Sequence, residues 1–166
     1  MGVAITLSDV TIRTDLRPGD LGWVIHRHGI LYHEEYNYGI EFESYVAEGL
    51  AEFYKHYDPN RSRVWIAEHD NRIVGFLLLM DRGDAAQLRY YYLEKEYRGI
   101  GLGKELIVLL LNYLKTVGYH SCYLWTTKEL NAAASIYTKF GFHLAEEKPS
   151  HSFGKDVIEQ KYVLSM

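Results

Sequence analysis

The spacing of hydrophobic residues changes several times along this chain, and each change marks an element. From Glu41 to Tyr57, the apolar positions Phe42, Tyr45, Val46, Leu50, Phe53, Tyr54 and Tyr57 recur at spacings of mostly three and four, which puts them on one stripe of a helix. Leu102, Leu106, Ile107, Leu110, Leu111, Leu114 and Val117 form a broader stripe on a second helix, stopped by Gly118. Between these two, Val64 to Glu68, Ile73 to Met80 and Ala86 to Leu93 read as strands, joined by turns at Asp70-Asn71 and at Asp81-Arg82-Gly83-Asp84. Upstream, Val3 to Leu16 alternates moderately and predicts a first strand. Arg17-Pro18-Gly19-Asp20 is a turn, with Asp20 placed to cap a helix over Leu21 to Leu31. Glu34 to Gly39 breaks that helix, and Asp58-Pro59-Asn60 ends the next. Beyond Gly118 come a strand (Ser121 to Thr126), a helix (Leu130 to Phe140) ended by Gly141, and two closing strands (Phe142 to Glu146, Asp156 to Leu164). Antiparallel strands followed by a β-α-β-α-β run predict an α+β fold, with about seven strands and helices on both faces of the sheet.

Composition adds limits. The chain has 166 residues, which predicts one domain over 1–166 and a core large enough to need no disulfide or metal staple. Charged residues are 24% and hydrophobic ones 48%, an ordinary soluble balance. The net charge of −4 argues against a nucleic-acid partner. The longest apolar run, Leu106 to Leu111, is too short to span a bilayer, so no membrane partner is expected. No secretory leader opens the chain, and the expected location is cytoplasmic. The lone Cys122 has no disulfide partner in the chain and reads as a buried strand residue. Met1-Gly2 with Thr6 matches the myristoylation template only loosely, and Asn60-Arg61-Ser62 is a glycosylation triplet without meaning in a cytoplasmic protein. Eight histidines include no His-Glu-x-x-His, and His26 and His28 diverge on a helix, so no metal is expected.

The richest stretch chemically is Tyr92 to Leu106, "YLEKEYRGIGLGKEL", where a strand ends and a helix begins. A helix start has unpaired N–H groups and a partial positive charge, and side-chain-free residues there let an anion approach the backbone. Gly99, Gly101 and Gly103 therefore point to a phosphate or pyrophosphate; the plain alternative is a tight turn. Two familiar phosphate loops do not fit. The nucleotide P-loop needs glycine five before Gly103, which is Arg98, and a hydroxyl after Lys104, which is Glu105. The dinucleotide fingerprint needs glycine at 104, which is Lys104.

Arg98-Gly99-Ile100-Gly101-Leu102-Gly103 does match Arg/Gln-x-x-Gly-x-Gly/Ala. This resembles the acyl-CoA loop of the GNAT superfamily of acetyl-CoA-dependent N-acetyltransferases. A second block, "NAAASIYTKFGF" (Asn131 to Phe142), lies where that family has Tyr-x-x-x-Gly-Phe. The N-terminal half, "RPGDLGWVIHRHGILYHEEYNY", is similar to GNAT domains fused behind MarR-type regulators. The resemblance implies a mixed, mostly antiparallel sheet whose parallel pair, Ala86 to Leu93 and Ser121 to Thr126, splays to admit the pantetheine arm of coenzyme A. It implies that the backbone of Arg98, Gly99, Ile100, Gly101, Leu102, Gly103 and Lys104 holds the diphosphate and that a backbone N–H near Leu93 polarises the acetyl carbonyl. It also implies that Tyr137 gives a proton to the departing thiolate. The family's cofactor-contacting asparagine falls on Leu130, with Asn131 one step late. The strand before the loop, Gln87-Leu88-Arg89, lacks the carboxylate base some members carry. The segment Tyr32 to Glu43 mixes rings and carboxylates suited to a cationic amine. It offers Tyr32, Glu35, Tyr36 and Glu43 as acceptor contacts, with Glu35 the candidate base and Trp125 a further wall. The reading is an N-acetyltransferase acting on a primary amine of a small molecule or peptide. The alternative is an acyl-CoA-binding sensor that has lost catalysis. A homodimer is open by family analogy, with the strand Asp156 to Leu164 pairing or swapping at an edge.

Overall fold

The computed structural model describes residues 2–166, so Met1 of the myristoylation-like start lies outside it. Seven strands form one sheet: β1 (Thr11–Arg13), β2 (Arg63–His69), β3 (Arg72–Arg82), β4 (Ala85–Leu93), β5 (Ser121–Thr127), β6 (His143–Ser150) and β7 (Val157–Ser165). Their spatial order is β1-β2-β3-β4-β5-β7-β6. Four helices flank it: α1 (Asp20–Tyr36), α2 (Ile40–Lys55), α3 (Leu102–Val117) and α4 (Asn131–Lys139). Every neighbouring strand pair is antiparallel except β4–β5.

The sheet separates two cores. On one face Val24 and Leu31 of α1, with Phe42, Val46 and Leu50 of α2, pack on Ile66, Phe76 and Leu78. On the other, Leu102, Leu106, Ile107 and Leu110 of α3, with Tyr137 of α4, pack on Trp65, Ala67, Leu77 and Leu124. Because β3 is covered on both sides, it reads as a continuous apolar run rather than an alternating one. No helix among the described residues is long and apolar enough to cross a membrane.

Several expectations change. The first strand is only Thr11–Arg13, because Leu7–Asp9 is a 3-10 turn in which the Asp9 carboxylate accepts the Thr6 N–H at 2.8 Å. A short acidic side chain that bonds local backbone competes with strand pairing. Asp20 is not the helix cap. Gly19, at φ 94°, precedes the helix, and Asp20 opens it. The Asp20 carboxylate accepts the Arg17 N–H at 2.7 Å and pairs two-point with Arg13 at 2.7 and 2.8 Å. α1 also continues through Glu34 and Glu35 to Tyr36 and ends at Asn37 in the left-handed region. His33 and Glu34 face solvent there while Leu31 is buried and Tyr32 half-buried, so the stretch is an amphipathic helix end rather than a loop. The closing strand β7 lies between β5 and β6. Edge pairing would therefore fall to β6, not to Asp156–Leu164.

Two irregularities flank β4. Its parallel pairing with β5 stops at Gln87–Tyr123 although both strands run on, leaving a wedge between them. On its other side, β4 carries a bulge. Phe76 pairs with Tyr92 but Leu78 with Arg89, and Tyr90 sits at φ 57°. The bulge sends the Tyr90 ring against α2, where a Cβ on Gly49 would fall inside the Tyr90 hydroxyl. Gly49→Ala is therefore expected to destabilise by about 1–3 kcal/mol from overpacking. Tyr90→Phe in the same chain should recover most of the loss. Urea denaturation of the two single variants and the double variant checks this, and additive losses would show that the two groups do not meet.

Candidate active site

The end of β4, the loop opening α3, the end of α1 and the start of α4 together enclose an outer cavity of about 410 Å³. Its floor is the glycine loop, and each glycine has its own reason. Gly99 (φ 80°) and Gly101 (φ 90°) occupy left-handed backbone that a Cβ would strain, although neither lacks space: a Cβ would meet nothing at Gly99 and only ordinary contact with Leu7 at Gly101. Gly103 is needed for space: a Cβ there would strike the Tyr91 hydroxyl beneath the helix start. The N–H groups of residues 99 to 104 donate to no acceptor among the described residues. The first turn of α3 begins its own bonding only at Glu105, which donates to Gly101 at 3.1 Å. These donors converge at the positive end of a helix, with Arg98 and Lys104 on the same cavity wall.

Leu93 faces this cavity with its backbone. The Glu94 N–H donates to Val74 of β3 at 2.8 Å. By strand alternation the N–H and C=O of Leu93 point the other way, into the wedge. Arg98 already reaches that carbonyl, from Nε at 3.2 Å and Nη2 at 3.0 Å, and its Nη1 pairs with Glu35 of α1 at 2.8 Å. The guanidinium thus ties the loop, the strand end and the helix together across the cavity mouth.

Deeper in, an inner cavity of about 110 Å³ shares Tyr32, Tyr91, Leu130 and Ala133 with the outer one. Its wall is mostly aromatic, including Tyr38, Phe42, Tyr90, Trp125, Tyr137 and Phe153. Tyr137 is buried, its ring 6.4 Å from Tyr91 and 6.0 Å from Phe142. Burial holds its phenol well above the ordinary tyrosine value, so it keeps its proton at neutral pH. Tyr91, which spans both cavities, is pushed up to about 12 for the same reason. His28 lies in the wall with Nδ1 2.9 Å from the Val24 carbonyl, which makes Nδ1–H the donor. Its buried Nε2, like the hydroxyls of Tyr90, Tyr91 and Tyr92, has no partner among the described residues. Desolvation pulls its imidazole down to about 4, so it is neutral at pH 7.

The structure brings Leu93, Arg98, Gly99, Gly101, Gly103, Lys104, Tyr32, Glu35 and Tyr36 around the outer cavity, and Trp125 and Tyr137 around the inner one. Two predicted residues, Glu43 and Asn131, fall elsewhere. Ile100 and Leu102 offer the loop only their backbone, as predicted, because their side chains pack against or within the core. Glu43 lays its carboxylate against Gly29 between the two N-terminal helices. Asn131 opens α4 on its outer side, beside Ala134 and Ser135, while Leu130 takes the cavity-lining place. Sequence reasoning missed His28, Arg89 and Tyr91 as cavity residues. Arg89 and Tyr91 carried a signal, since they sit on the strand before the loop, but the bulge that sets their sides left none. Among the described residues no cluster of three His, Cys, Asp or Glu is placed to hold a metal ion.

Comparison with known proteins agrees with this arrangement. Residues 30–142, more than half of the chain, match the profile described as the acetyltransferase (GNAT) family. The chain belongs to that family. It is 30% identical over 97 residues to an uncharacterised N-acetyltransferase, YjgM, of Escherichia coli (strain K12), a match spanning 56% of this chain and 58% of that protein. Against a spermidine N(1)-acetyltransferase of Thermoplasma acidophilum it is 28% identical over 133 residues, 80% of each chain. A PaiA N-acetyltransferase from Thermoplasma acidophilum, solved in complex with coenzyme A, superposes with a TM-score of 0.70 at 24% identity, covering 95% of this chain and 99% of that one.

Proposed function

We propose that this chain is an acetyl-CoA-dependent N-acetyltransferase that transfers acetyl directly to a primary amine of a small molecule or peptide. The observation that carries it is the run of N–H groups from 99 to 104, unpartnered among the described residues, beside the cavity that the Leu93 backbone faces. Solved relatives hold coenzyme A or acetyl-CoA, and the residues here fit such a ligand. Acetyl-CoA supplies an acetyl thioester and a diphosphate. The loop N–H groups, Arg98 and Lys104 bind the diphosphate. The Leu93 N–H donates to the acetyl oxygen and favours the charge that develops there. The amine would enter from the inner cavity as its free base, its ammonium proton having passed to bulk water; bonding of its nitrogen to the acetyl carbon would break the carbon–sulfur bond, and the second proton the nitrogen loses would balance the one sulfur gains. The Tyr137 hydroxyl donates to the departing sulfur and is reprotonated from the amine side. His28 is too weak a base to deprotonate an ammonium near 10, so it shapes the cavity.

The likeness of the N-terminal half to MarR-fused GNAT domains fits a chain that works beside a regulator, and edge pairing through β6 fits a homodimer. An acetyl-CoA donor fits a cytoplasmic setting. The test is calorimetry with coenzyme A, followed by thiol release from acetyl-CoA across a panel of amines. Heat of binding with turnover supports the reading. Binding without turnover for any amine would favour a sensor, and no heat at millimolar coenzyme A would end both.

Glu35 gives a further check. Its partner Arg98 is 44% exposed at the side chain, so the pair is worth less than about 1 kcal/mol after solvent screening. Glu35→Gln frees Arg98 for the diphosphate and should tighten coenzyme A binding about two- to fivefold. A large fall in kcat with unchanged affinity would instead make Glu35 the base.

A further inference from the structure

Resting on the acetyltransferase reading, we infer that the acceptor carries a carboxylate as well as an amine, with Arg89 as the carboxylate anchor and Glu159 facing the amine end. The carrying observation is that the inner cavity holds one arginine and one glutamate, neither with an ionic partner among the described residues. Arg13, Arg17, Arg27, Arg61, Arg82 and Arg98 all pair with carboxylates, whereas Arg63, Arg72 and Arg89 pair with none among the described residues, and of these three only Arg89 lines the cavity. Arg89 is half-buried at the cavity. It makes no side-chain hydrogen bond or ion pair among the described residues. It rests instead on two rings, its Cζ 4.6 Å from the Tyr90 ring and 5.5 Å from the Tyr45 ring. Ring contacts hold a guanidinium in place without using its N–H donors. Those donors form a planar fork whose geometry matches a carboxylate. A partly desolvated fork of this kind, with its own protein offering no anion, is a receptor for one.

Glu159 sits on β7, opposite Thr127 at the end of β5 and opposite Lys148 of β6. Lys148 does not pair with it: its Nζ stands 4.6 Å over the Trp125 ring. The cavity therefore offers a cation from β4 and an anion from β7, with tyrosine and phenylalanine faces around them. This is the complement of a dipolar amino carboxylate. A polyamine has no group for Arg89. At about 110 Å³, the interior is smaller than the roughly 150 Å³ that takes up a benzene. The buried part of the acceptor is thus a short aminocarboxylate, with any larger body extending outward.

The experiment measures calorimetric affinity, with coenzyme A present, for L-alanine, L-methionine, L-glutamate and 4-aminobutanoate, each against its carboxamide, and for spermidine. At least one acid should bind about ten- to a hundredfold more tightly than its amide. Arg89→Met should remove that preference while leaving amide affinity unchanged, and Arg89→Lys should restore only part of it. Glu159→Gln should weaken the same acid and not its N-acetyl derivative, which has lost the ammonium. Amides or spermidine binding as tightly as every acid, or a preference that survives Arg89→Met, would overturn the assignment. Thiol release with any amine judges the acetyltransferase reading separately, so an enzyme that turns over only amides would keep that reading and lose this one.

Discussion

Tyr137→Phe is expected to lower kcat by about a hundredfold or more, with little change in affinity for coenzyme A. The reason lies in its surroundings. The phenol is buried against Tyr91, Phe142 and Tyr162, on the inner cavity rather than on the loop, so its loss removes no diphosphate contact. Its proton is held well above the ordinary tyrosine value, and it is therefore fully present as a donor at working pH. A free thiol titrates near 8.5, below the phenol, so in the proposed reaction Tyr137 would assist the departing sulfur as a hydrogen-bond donor and relay a proton that originates on the amine. Steady-state kinetics on the wild type and the phenylalanine variant, read with a poor and a good leaving thiol, check this. The variant should suffer more with the thiol of higher pKa. An equal fall for both, or a rise in KM alone, would assign Tyr137 to packing.

Acid should destabilise the fold through His28 before it reaches the carboxylates. The imidazole is 2% exposed and ringed by Tyr32, Phe42, Tyr90 and Tyr92. Its value falls from 6.5 in the unfolded chain to about 4 in the fold. Below 6.5 the unfolded chain takes up a proton that the folded one refuses, so stability falls as pH drops. The loss is about 1.4 kcal/mol per pH unit down to about 4, on the order of 3 kcal/mol in all. Between pH 7 and pH 5 the expected loss is about 2 kcal/mol. Asp9, Asp15 and Asp81, held below the ordinary carboxylate value, add their losses only at lower pH. Urea denaturation at pH 7 and pH 5 should show the drop in the wild type and little of it in His28→Gln. The same slope in both would place the titrating group elsewhere.

The glycine loop and the apolar stripes were legible because each depends on local chemistry. Gly99 and Gly101 signal left-handed backbone, and the leucines of α3 signal a helix face by spacing alone. Tyr137 was legible through its distance from Gly141-Phe142 in a familiar block. Asp20 and Glu35 were placed less well. Asp20 was read as a cap from its position before a helix, yet Arg13 and the Arg17 N–H, brought to it by the fold, claim its carboxylate. Glu35 was read in a loop because two acids and a glycine interrupt the pattern, yet the helix runs on through both acids to Tyr36. Glu43 and Asn131 show the same limit. A helix stripe says which residues share a face but not which neighbouring surface that face meets.

The sequence by itself determined the order of elements, the two-sided sheet and the place of the bare glycine loop at a helix start. These follow from hydrophobic period, turn residues and the unpaired donors of a helix start, all properties of a few adjacent residues. Only the tertiary structure decided that Arg89 and Glu159, 70 residues apart, line one cavity, that Gly49 makes room for Tyr90, and that Arg98 is tied to Glu35. The first two depend on the β4 bulge, which sets the sides of Arg89 and Tyr90, and a one-residue change of register there would turn those side chains to the opposite face.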